Sequence, residues 1–264
     1  MRLSCAKWPH VALLALCAGA WPVWRWYVLR LTDGSDEPWG LLALGTLALL
    51  MWRRGAPAGD LPNDRELVWP VVCVATYTAA FLFVPPLVRA VLAAAALGAL
   101  LFRGSGSAGL WGLLALSLPV IATLQFYMGY PLRVLAAEAS VVTLRLCGYP
   151  VIREGSLLHW AGETVMVDAP CSGVQMLWFG FYCAFGCAAY LRLSLVRTAC
   201  CAAVTLAIVV AANMARATVL FFKEAHIVAW PEWTHAGVGL LLFALAAWLI
   251  AAATQKLQPQ PCVS

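Results

Sequence analysis

The chain has 264 residues, 63% hydrophobic and 11% charged, with a mean hydropathy of +0.84 and a formal charge of +5. A soluble domain carries roughly twice that charged fraction, so the composition excludes an ordinary water-soluble globule and points to membrane spans of about 17 residues or more. No basic run or basic helix face occurs, which excludes a nucleic-acid partner and leaves lipid as the natural surroundings.

Met1, Arg2 and Lys7 precede an apolar run to Ala20, as in a signal peptide. The run continues through Trp21-Pro22-Val23-Trp24, so an uncleaved first span over 8–29 is expected. Further spans are expected over 39–52, 67–84, 87–102 and 109–128, with short loops between them. Residues 1–128 read as generic spans, and the thirteen Trp of the chain suit the many membrane interfaces that such a chain crosses.

A different texture follows. Pro131 to Cys147 is apolar but interspersed with Arg133, Glu138, Ser140, Thr143 and Arg145. Glu138 and Arg145 share a helix face, which predicts an interfacial helix rather than a span. Gly148-Tyr149-Pro150 breaks it. Val151 to Arg153, Leu157 to Trp160 and Thr164 to Val167 read as short strands, with turns at Gly155-Ser156 and Ala161-Gly162-Glu163. A short β-hairpin over the membrane surface is expected there. Three more spans are expected over 171–191, 196–222 and 236–253. The expected fold is therefore an all-α polytopic membrane protein with about eight transmembrane helices and one long outer loop holding the interfacial helix and the hairpin. It forms one membrane domain over 1–264, with the chemistry-bearing region at 129–240.

Most of the ten Cys lie inside apolar runs, where Cys acts as a small hydrophobe. Cys183 and Cys187 are four apart on one helix face, which suits neither a redox pair nor a zinc site in lipid. No disulfide scaffold, metal or cofactor is expected. The short basic loop Arg192–Arg197 and Lys256 in the tail place both termini on the cytoplasmic side.

That orientation brings three features to the outer face. Cys171 opens the sixth span, with Pro170 marking the helix start. A thiol at a helix N-terminus meets free N–H groups and the positive end of the dipole, which favour the nucleophilic thiolate. Asn213 and Arg216, three residues apart, share one face of the seventh span. Arg216 lies about 9 Å inside that span's end, a costly depth for a charge. A guanidinium there suits an oxyanion, although snorkelling to the headgroups would also account for it. Asn213 would orient the Arg or bond a neighbouring helix. His235, just before the eighth span, is placed to shuttle a proton. Asp168 is a possible orienting group for it, or simply a loop carboxylate.

These residues resemble the exosortase/archaeosortase family. Gly148-Tyr149-Pro150-Val151-Ile152-Arg153-Glu154-Gly155 is similar to its G-x-P-V-x-R-E-G stretch. Ala169-Pro170-Cys171-Ser172-Gly173 is similar to its nucleophile motif, A-x-C-S-G. Asn213-Met214-Ala215-Arg216 matches N-x-x-R, and His235 to Gly239 matches H-x-x-x-G. All four stand in the family's order. The resemblance implies a bacterial inner-membrane cysteine peptidase or transpeptidase with Cys171, Arg216 and His235 as its catalytic set. Asn213, Asp168, Ser172 and Gly173 would support that set. It also implies exported protein substrates bearing a C-terminal sorting signal: a Pro-Glu-Pro-like motif, a transmembrane helix and a basic tail. A thioester on Cys171 would pass the product to an acceptor. A transporter would spread polar residues along several spans at midplane, and a thiol oxidoreductase would pair reactive Cys at the outer face. The sequence favours neither.

Overall fold

The computed structural model describes residues 8–32, 38–54, 64–102, 107–167 and 172–258. Among these, ten helices and one small sheet are formed. The helices are α1 (Trp8–Gly19), α2 (Trp21–Thr32), α3 (Trp39–Arg54), α4 (Asp64–Ala80), α5 (Pro86–Leu101), α6 (Ala108–Leu116), α7 (Ile121–Leu146), α8 (Val174–Tyr190), α9 (Leu195–Glu224) and α10 (Trp233–Lys256). The strands β1 (Ile152–Glu154), β2 (Leu157–Trp160) and β3 (Glu163–Met166) lie between α7 and α8. The chain divides into two compact units, one of residues 1–120 and 188–195, the other of 121–187 and 196–264.

In the first unit, the apolar stretch expected as one span over 8–29 is two helices that break at Ala20. Pro22 explains the break, because it has no N–H to give and its ring clashes with the preceding turn. The Trp24 indole bridges the two helices by donating to the Cys17 carbonyl at 2.8 Å. Ala20 and Val23 then pack with Ala90 and Ala93 of α5. The end of α6 meets α3 closely. A Cβ on Gly40 would lie 2.5 Å from the Ser117 carbonyl oxygen, which also accepts from the Tyr27 hydroxyl at 2.9 Å.

The second unit holds the sheet and the last helices. Its first helix differs from expectation. Pro131 to Cys147 is no separate interfacial helix, but the second half of the single 26-residue α7. The break falls earlier, between α6 and α7, where Pro119 follows Leu118 and disfavours helical geometry at that residue. The strands form an antiparallel sheet in the order β1-β2-β3. This is a meander of two hairpins rather than one. Two-residue turns set its registers. Ala161 (φ 49°) and Gly162 (φ 88°) both take the left-handed conformation that a tight hairpin of type I′ requires.

One face of the sheet is buried. Leu158 and Val165 pack against Ala136, Val141 and Leu144 of α7 and against Leu220 and Phe221 of α9. Burial of a side chain such as Leu158 or Phe221 contributes about 1.5–3 kcal/mol, so the sheet is fixed to the helices beside it. Arg153 reinforces this, since its guanidinium pairs with Glu138 on α7 and donates to the Gly155 carbonyl at 2.8 Å. A second core joins Met176 and Ala184 of α8, Cys201 and Val209 of α9, and Ala246 and Ile250 of α10. Gly180 allows α8 to approach α9, since a Cβ there would lie 2.7 Å from Val209.

Among the described residues, α9 and α10 are long and apolar enough to cross a membrane, and the count rises to three when the bent α6–α7 pair is taken as one span. The apolar helices α5 and α8 are shorter, at 16 and 17 residues.

Candidate active site

The site is built on one stripe of α9. Asn213, Arg216, Leu220 and Glu224 recur at intervals of three or four residues and so line one face of the helix. Leu220 anchors that face in the core under the sheet. The first turn of α10 supplies His235. That helix starts two residues after Pro231, and the Thr234 N–H donates to the Pro231 carbonyl at 3.0 Å. His235 and Gly239 are four apart and both face Arg216. Arg216 Nη2 lies 3.5 Å from His235 Nε2, and a Cβ on Gly239 would sit 3.4 Å from Arg216 Nε. The guanidinium thus rests on the α10 backbone with the imidazole one turn away.

His235 has a second charged neighbour. Its Nδ1 lies 3.5 Å from Glu224 Oε1. The ring therefore stands between a carboxylate at Nδ1 and a guanidinium at Nε2. That arrangement fits the tautomer in which Nδ1–H points to the Glu224 carboxylate and Nε2 accepts from the Arg216 guanidinium. Sequence reasoning missed Glu224, which lies just beyond the span expected over 196–222. The signal was available, since Glu224 continues the stripe of Asn213 and Arg216 two turns on.

Gly173 approaches the same stripe of α9, at Asn213. Gly173 has φ 80°, and a Cβ on it would lie 2.7 Å from the Asn213 side-chain carbon. Both the left-handed conformation and the close approach require Gly. Asn213 is thus packed on the backbone at Gly173 and is itself buried. The buried Ser172 hydroxyl donates to Gln125 on α7 at 2.9 Å. Gln125 is a second residue that sequence reasoning passed over, a lone amide in an apolar run.

Cys171 and Asp168 lie outside the described residues. The helix that Cys171 was expected to open begins at Val174. Pro170 does not set the start. Gly173 does, because its φ is incompatible with a helical turn and its carbonyl accepts the first intrahelical bond, from Leu177 at 2.8 Å.

The other histidines have different settings. His159 lies on β2, with Nδ1 3.0 Å from the Thr164 hydroxyl and Nε2 3.7 Å from Glu154. His226 stands in the turn after α9 at φ 53°. Beside His235 is a cavity of about 400 Å³, bounded by Leu158 of β2, by Thr164 to Met166 of β3 and the following Val167, by α9 between Ala217 and Glu224, and by His235 itself.

The transmembrane exosortase profile (Exosortase_EpsH) matches residues 7–252. No curated protein and no solved structure matches the chain. The match runs across both compact units and contains the α9 stripe, His235 and the Ser172-Gly173 turn. With nearly its whole length matched, the chain belongs to the transmembrane exosortase family.

Proposed function

We propose that this protein is an exosortase-like membrane cysteine peptidase/transpeptidase. The observation that carries the reading is the apposition of Arg216 and His235 on the stripe of α9 against which Gly173, two residues after Cys171, is packed. In this reading Cys171 attacks the carbonyl carbon of the scissile peptide, and His235 takes the thiol proton. The carbonyl oxygen gains negative charge, which Arg216 stabilises. The C–N bond then breaks, and His235 returns the proton to the leaving amine. A thioester on Cys171 remains, and an acceptor nucleophile or water releases it. Asn213 holds the backbone of the nucleophile motif. Glu224 orients the imidazole, the part for which the sequence had offered Asp168.

The substrates are exported proteins ending in a Pro-Glu-Pro-like motif, a transmembrane helix and a basic tail. The protein forms a single domain in the bacterial inner membrane with both termini cytoplasmic. With α1–α2 as one span, α6–α7 as another and α3, α4, α5, α8, α9 and α10 as the rest, the chain crosses about eight times, and the site faces the periplasm. A variant that retains Cys171 as its sole Cys tests this orientation. It is expected to react with a membrane-impermeant maleimide in cells whose outer membrane has been permeabilised. Reaction only after inner-membrane lysis would reverse the topology.

The three outer histidines give a test of the chemistry. His235→Ala is expected to lower turnover of a tailed reporter by about 10² or more. His159→Ala and His226→Ala should stay within several-fold, because neither ring lies between a guanidinium and a carboxylate. The three are compared at matched membrane abundance. An inactive His226→Ala alongside an active His235→Ala would move the role to the turn and overturn this assignment.

A further inference from the structure

β3 is an edge strand, and among the described residues no strand pairs with its second side. The register decides which backbone groups it leaves over. The Val167 N–H donates to the Ser156 carbonyl at 3.0 Å, and in an antiparallel ladder the hydrogen-bonded pairs recur at every second residue. Glu163 and Val165 therefore turn N–H and C=O toward β2. Thr164 and Met166 turn theirs to the open side. Their side chains agree with this phase: Val165 is buried, while Thr164 and Met166 stand on the exposed face. The open edge borders the 400 Å³ cavity. β1 lines none of that cavity and β2 gives it only Leu158, so it lies beside β3 toward the buried face of the sheet, with His235 in its wall. Ligand sites commonly enclose about 300–1,000 Å³, so this space suits a short stretch of chain.

We propose that this cavity binds an extended segment of the peptide substrate, which adds to β3 as a fourth strand and is led past His235. The inference rests on the transpeptidase reading above and extends it to how the substrate is held. Main-chain hydrogen bonds supply the affinity in such strand addition. The mode also suits a Pro-x-Pro sequence. Residues i and i+2 of a strand point their backbone groups the same way. Both prolines therefore turn their N–H-less nitrogens away from β3, and the middle residue presents its N–H and C=O to Thr164 or Met166. A strand in the opposite phase would aim two prolines at the edge and lose those bonds.

The probe is an exported reporter ending in a Pro-Glu-Pro motif, a transmembrane helix and a basic tail, presented to the full-length enzyme in membranes. Thr164→Pro removes one outward N–H and no bond of the β2 ladder. It is expected to raise KM about tenfold, the loss of roughly one hydrogen bond, with kcat within threefold. As a second measurement, a photo-crosslinking residue at Met166 in a Cys171→Ala background is expected to capture the reporter within its Pro-Glu-Pro segment, without turnover. KM within twofold of wild type in Thr164→Pro, or adducts confined to the reporter's transmembrane helix, overturns the inference and leaves the transpeptidase reading intact. A reporter that wild-type enzyme never cleaves sinks that reading and this one with it.

Discussion

Membranes carrying Cys171→Ala or Cys171→Ser are expected to process no tailed reporter above background, a loss of at least about 10³. Cys147→Ala, Cys183→Ala and Cys187→Ala are expected to process it normally. The contrast follows from surroundings. Cys183 and Cys187 lie within α8 and are partly buried, and Cys183 packs against the second core. Cys201 is buried in the second core against the Thr254 hydroxyl at 2.9 Å. Cys147 is exposed at the end of α7. Cys171 alone is followed at once by the Ser172-Gly173 turn that packs on Asn213. Serine at 171 would keep the shape and lose the readily ionised sulfur. Mass spectrometry of the wild-type enzyme trapped with reporter should find the cleaved segment on Cys171. Normal processing by Cys171→Ala would remove the covalent mechanism.

Arg216→Lys is expected to fail nearly as badly as Arg216→Ala, each losing about 10²–10³ in kcat/KM. The guanidinium is planar and rests on the α10 backbone at Gly239, with one nitrogen toward the His235 ring. Its remaining donors hold a fixed fork, which suits two-point recognition of an oxygen that is gaining charge. Lysine at this position brings a single ammonium on a flexible stem. It satisfies a headgroup as well as arginine does, but not a developing oxyanion. Kinetics of the two variants on the same reporter separate these roles. If lysine restores most of the rate, Arg216 is only a positive anchor that snorkels to the interface.

Local patterns in the sequence carried much of this site. Asn213 and Arg216 share a face at any helical spacing of three, and the turn residues Gly155, Ala161 and Gly162 marked the strand ends. Hydropathy was a poorer guide to continuity. Runs over 8–29 and 109–128 average as apolar whether or not Pro22 or Pro119 interrupts them, so two expected spans came out broken. The converse error arose at Pro131, which α7 absorbs. The contact between Gly173 and Asn213 joins residues forty apart, and no period in the sequence encodes it. Glu224 escaped because the expected span stopped at residue 222, although its spacing from Arg216 was already helical.

The division of the chain has a consequence for inheritance and assembly. Residues 188–195 belong with 1–120, although the chain reaches them from within the second unit. Arg54 donates to the Ala189 carbonyl and so ties that turn to the end of α3. A ribosome must therefore finish some 190 residues before the first unit has all its parts. The N-terminal half is not a detachable cassette. A chimaera that exchanges residues 1–120 between relatives has to carry the turn at 188–195 with them, because a foreign α3 would otherwise meet a turn it was never selected to hold.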